Sequence, residues 1–83
     1  MDKIIDKKWD YTLYKRGDEL ILSAVCGSVG IFEINVILTS SEVEEYKQNG
    51  IQYIETLARK IQRTPSFYKS RHVEISHDTK NQS

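Results

Sequence analysis

The stretch from Val29 to Leu38 limits what this chain can fold into more than any other. Phe32, Ile34, Val36 and Leu38 recur at every second residue, so in a strand they share one side and make a wholly apolar face. Such a face needs cover, which puts this strand at the centre of a sheet. The period then changes within two residues. Thr39 with Glu42 three positions on is the signature of a capping box, and Leu38 and Val43 occupy the two positions of a hydrophobic staple. Strand passes directly into helix.

Beyond the cap, Val43, Tyr46, Gly50, Tyr53, Ile54, Leu57 and Ile61 recur at three- and four-residue spacing, which predicts one long helix with an apolar stripe of about five turns. Glu42, Glu44 and Glu45 at its start and Arg59, Lys60 and Arg63 at its end complement the helix dipole. Gly50 costs about 1 kcal/mol relative to alanine inside a helix, and marks a close backbone contact or a kink. Thr64–Pro65 ends the helix, and Pro65 opens a short helical turn to Tyr68. Phe67 and Tyr68 are expected to tuck against the core, and Val73–Glu74–Ile75 to add a short edge strand.

Upstream, two hairpins are predicted. Residues 1–8 read as a frayed lead-in. Trp9, Tyr11 and Leu13 form one face of a strand, and Leu20, Leu22, Ala24 and Cys26 one face of the next. A two-residue loop at Arg16–Gly17 sets Leu13 opposite Leu20 and Tyr11 opposite Leu22. A three-residue loop at Ser28–Val29–Gly30, with Gly30 left-handed, sets Ala24 against Ile34 and Leu22 against Val36. The expected fold is α+β: a three-stranded antiparallel β-meander, one long α-helix packed on it, and a short Pro-initiated turn. Residues 1–75 make a single domain, and the polar residues 76–83 are expected to be a disordered tail.

An 83-residue chain buries only about 60–65% of its surface, and one helix covers one face of a sheet. The second face then shows Ile21, Val25, Ile31 and Ile37 around Ser23, Glu33 and Asn35, a patch of interaction-site character. The competing arrangement folds Pro65–Ile75 over it.

Enzyme hardware is missing from the sequence. Cys26 falls on an apolar strand face and reads as a small buried hydrophobe. His72 and His77 have no cysteine or carboxylate pair spaced for a metal site. Gly27–Ser28–Val29–Gly30 follows neither a nucleophile elbow nor a phosphate loop. No catalytic, cofactor-binding or metal residue is therefore expected, and the chain is read as no enzyme.

Twelve basic and twelve acidic residues cancel, against the basic excess of a general nucleic-acid binder. Trp9, Tyr11 and Tyr14 do interleave with Lys7, Lys8, Lys15 and Arg16, as on base-stacking sheets. Asp6, Asp10, Asp18 and Glu19 in the same stretch would repel phosphates. One cysteine excludes an internal disulfide framework and suits a reducing compartment. No apolar run reaches signal-peptide or membrane-span length, so a cytoplasmic location without membrane contact is expected.

Trp9–Tyr14, Cys26–Asn35 and the helix from Glu42 to Ile61 resemble the immunity proteins of bacterial polymorphic-toxin systems, including the MafI type that neutralises EndoU-like nuclease toxins. The resemblance implies a non-enzymatic cytoplasmic inhibitor used in bacterial competition. It would bind a cognate secreted toxin domain and occlude its active site by protein–protein interaction. The contact residues expected for it are Ile21, Val25, Ile31, Glu33, Asn35 and Ile37 on the sheet face, with Glu44 and Glu45 on the helix. Local acidic groups, from Asp18, Glu19, Glu33, Glu42, Glu44 and Glu45, would meet a basic nuclease. The alternative is a small homodimeric adaptor or regulator with the open sheet face as its dimer contact.

Overall fold

A computed structural model describes residues 2–27 and 30–75. Four strands, β1 (Asp2–Lys7), β2 (Tyr11–Arg16), β3 (Glu19–Cys26) and β4 (Phe32–Ile37), form an antiparallel sheet in sequence order. Helices α1 (Ser40–Asn49) and α2 (Ile51–Arg63) follow, then a short helix α3 (Pro65–Tyr68) and a 3-10 turn at Lys69–Arg71. The α+β class stands, with a fourth strand and a divided helix, and β4, expected at the centre of the sheet, is an outer strand.

The extra strand is β1, expected as a frayed lead-in. It pairs with β2 from Asp2↔Lys15 to Lys7↔Tyr11, with a bulge at Ile4. Five of its six residues are exposed and Ile5 is half-buried. An edge strand wetted on both faces has no apolar alternation to reveal it.

The β2–β3 hairpin turns one residue later than expected, which shifts the pairing by two. Its loop is Gly17–Asp18, with Arg16 opposite Glu19, Leu13 opposite Leu22 and Tyr11 opposite Ala24. A shift of two keeps every side chain on its face, so alternation alone does not separate the two registers. The turn does: Gly17 has φ +59, and glycine in the first loop position is what a type II′ turn requires.

Ala24 lies opposite Ile34 and Leu22 opposite Val36, the expected register. Of the expected loop, Ser28 and Val29 are outside the described residues, and so is the tail 76–83. The glycine at positive φ beside the loop is Gly27, at +107, where Gly30 was expected.

One layer of helix covers one face. Tyr11, Leu13, Leu22, Ala24, Cys26, Ile34 and Val36 pack with Leu38, with Ile54, Leu57, Ala58 and Ile61 of α2, and with Tyr68. The expected capping box forms: the Glu42 N–H donates to Thr39 Oγ1 at 3.2 Å and the Thr39 N–H to Glu42 Oε1 at 2.8 Å. The long helix breaks at Gly50, whose φ is +69. A Cβ there would meet nothing within 4 Å, so backbone conformation and not crowding selects glycine. Of the two long helices, α2 has four buried positions and α1 has none.

Two further expectations change. Phe67 is 72% exposed, while Tyr68 beside it is buried, because one turn of helix presents only one of two successive rings to the core. The edge pairing beyond the helices involves His72 and Val73, earlier than Val73–Ile75. Val36 bridges His72, and the Val73 N–H donates to the Asn35 carbonyl at 2.8 Å.

Candidate functional site

In an antiparallel meander alternate turns fall at the same end, so the β1–β2 and β3–β4 connections are neighbours. The first is a tight turn in which the Asp10 N–H donates to the Lys7 carbonyl at 2.9 Å. Trp9 is its third residue, with φ +67, the sole non-glycine at positive φ among the described residues. Sequence alternation placed Trp9 in the core beside Tyr11; instead its side chain is 79% exposed. A bulky residue in this region of backbone space is strained.

The turn holds that shape because α2 clamps it. Arg59 grips the Asp10 carboxylate with Nη1 at 2.7 Å and Nη2 at 2.9 Å. Gln62 Nε2 donates to Asp10 Oδ1 at 2.8 Å and to its carbonyl at 3.1 Å. The Arg59 hydrogen bond, opposed by partial burial and helped by Gln62, keeps the Asp10 carboxyl below its ordinary pKa. The Val25 N–H also donates to the Asp10 carbonyl, at 2.8 Å. Trp9 is thus presented on a fixed base.

Beside Trp9 is a hollow of about 330 Å³, walled by Val25, Ile31 and Tyr14, with Lys3, Lys7, Lys8 and Glu33 around it. Ile31 is 72% exposed. Two large apolar groups in water, ringed mostly by ammonium groups, suit an apolar insertion with an acidic rim.

The sheet-face residues expected as a single contact group fall into three places. Val25, Ile31 and Glu33 line the Trp9 hollow. Ile37 stands at the opposite end of the sheet, in a second hollow of about 420 Å³ with Leu20, Val43, Asp18, Glu19 and Glu44. Ile21 and Asn35 are inside: 0% and 6% exposed. Asn35 Nδ2 donates to the Val73 carbonyl at 3.1 Å, and its backbone N–H to His72 Nδ1 at 3.0 Å. Its Oδ1 is buried with no partner among the described residues. The His72–Val73 segment therefore takes the β4 side of the face that was expected to be open. Glu45 is exposed on α1 and accepts from Asn49 Nδ2 at 3.2 Å.

A third hollow, about 600 Å³, lies between the β3–β4 turn and α2 and touches Cys26, Phe32, Gln62 and Pro65. Cys26 Sγ lies 3.5 Å from the Ala24 carbonyl, and burial pushes its thiol pKa up, which disfavours the thiolate. Tyr11, whose hydroxyl donates to Glu55 Oε2 at 3.2 Å, is pushed up to about 12 by burial first and then by that carboxylate. Both groups serve the core. Among the described residues no three His, Cys, Asp or Glu side chains gather as a metal site; His77 lies outside them. No described helix is long and apolar enough to cross a membrane.

No family model, curated protein or solved structure matches this chain.

Proposed function

We propose that this chain is a protein-binding inhibitor of the immunity type, which acts in the cytoplasm by occluding a cognate toxin domain, a nuclease on the resemblance above, and performs no chemistry itself. The observation that supports this reading is Trp9. Strain at an exposed turn persists only where the surroundings enforce it, and such sites cluster at clamps and contacts. An exposed indole on a fixed base is the kind of group that dominates binding energy at interfaces, because it fills a partner pocket at little entropic cost. Ile31 and Val25 extend the apolar centre, and the lysines form the polar rim.

The test is calorimetric titration against the toxin domain encoded by the adjacent gene, with a toxicity assay. Nanomolar binding that abolishes toxicity is expected, and Trp9→Ala should weaken it by about 2–4 kcal/mol. Absence of binding by the folded protein overturns the reading. Charge reversal at Glu44 and Glu45 maps the contact. Slower, salt-sensitive association extends it to α1, and unchanged kinetics confines it to the Trp9 end.

A further inference from the structure

The free edge of the sheet is complementary to itself. We propose that β1 pairs antiparallel with β1 of a second copy across a two-fold axis, joining two sheets into one of eight strands.

The two edges of the sheet differ. On the β4 side, His72 and Val73 occupy the ladder. On the other side β1 is outermost, and no described strand pairs with its outward groups. Those unpaired N–H and C=O groups are a template for another strand.

The strand reads Asp2–Lys3–Ile4–Ile5–Asp6–Lys7. Laid antiparallel on itself about its midpoint, Asp2 faces Lys7, Lys3 faces Asp6, and Ile4 faces Ile5. Symmetry repeats each pair, so every charge meets its opposite and isoleucine meets isoleucine. Edges guarded against self-association usually carry charge of one sign, which repels a second copy. Here the charges attract one.

Side-chain direction is the stricter condition. Cross-strand partners must point to the same face, yet in a regular strand residues 2 and 7, or 3 and 6, point to opposite faces. The bulge at Ile4 removes that conflict. Asp2 opposite Lys15 and Lys7 opposite Tyr11 both lie on the helix-covered face, while Lys3 opposite Tyr14 and Asp6 opposite Thr12 both lie on the other. Lys3 Nζ is in fact 3.6 Å from Asp6 Oδ2 within the strand. The irregularity that ordinarily blunts an edge brings these charges into pairing register. Lys3 and Lys7 also border the Trp9 hollow, but the pairing does not depend on the Trp9 reading.

Sedimentation equilibrium of the wild type and two variants tests the pairing. Asp2→Lys with Asp6→Lys makes the strand wholly basic, and Lys3→Asp with Lys7→Asp makes it wholly acidic. The wild type should dimerise, each variant alone should dimerise about tenfold more weakly or worse, and an equimolar mixture should recover a one-to-one heterodimer. A monomeric wild type, a dimer indifferent to both changes, or a mixture that fails to associate overturns the proposal. Amide exchange on the wild type gives a second readout should a variant misfold. β1 amides must exchange more slowly as concentration rises, and exchange independent of concentration also overturns it.

Discussion

Arg71 holds the carboxylate of Glu42 in a two-pronged grip, Nη2 to Oε1 at 2.6 Å and Nη1 to Oε2 at 2.9 Å. The same Nη2 donates to the Ile37 carbonyl at 2.9 Å. Since Glu42 Oε1 also accepts the Thr39 N–H, one carboxylate closes the start of α1 and fastens the segment after α3 to the end of β4. Arg71→Ala leaves a half-buried carboxylate and a carbonyl without their donor, at an expected cost of about 1–3 kcal/mol. Urea unfolding of Arg71→Ala, Glu42→Gln and the double variant measures it. Because both singles break one network, the double should cost less than their sum.

Acid should weaken the fold through the same pair. Burial pushes the Glu42 pKa up, but hydrogen bonds from Arg71 and Thr39 outweigh it and hold the carboxyl below its ordinary 4.5. Asp10 is held below its ordinary 3.8, chiefly by Arg59. A depressed folded-state pKa gives stability that is complete above the unfolded value and lost as pH falls through the folded one. Urea midpoints should therefore be flat near neutrality and fall below about pH 4.5. Glu42→Gln should flatten that fall, and an identical acid profile in this variant would assign it to other groups.

The second sheet face is as much a part of the core at its centre as the first. Ile21→Ala should cost about 2–5 kcal/mol, as should Ile34→Ala on the helix-covered face. Ile31→Ala, on the same second face but 72% exposed, should cost less than about 0.5 kcal/mol. Thermal melts of the three compare them directly.

Strain at Trp9 makes a prediction of opposite sign. Asparagine accepts left-handed backbone more readily than tryptophan, so Trp9→Asn should stabilise the fold by up to about 1 kcal/mol, seen as a raised melting temperature. If Trp9 is the anchor of an interface, that gain comes with loss of partner binding. A lowered melting temperature would mean that the exposed ring packs against its neighbours more than its accessibility suggests.

The sequence was most informative where one residue pattern admits one structure. The alternation of Ile34, Val36 and Leu38 and the Thr39–Glu42 box located β4, its pairing with β3 and the start of α1. Two patterns misled because they fit two structures. Alternation in β2 was equally satisfied by registers two residues apart, and Trp9 continued it on paper although the chain turns there. β1 had no signal to read, being wet on both faces. The contact surface was least legible, because the partners of Asn35 come from far along the sequence, at His72 and Val73.

The break at Gly50 also divides the domain by cooperativity. With its four buried side chains, α2 can be released only when the sheet core opens, so its amides should exchange at the rate of global unfolding. α1 buries none fully and is held at its first turn by Thr39, Glu42 and Arg71. It should open as a separate unit of lower free energy, leaving the sheet and α2 intact.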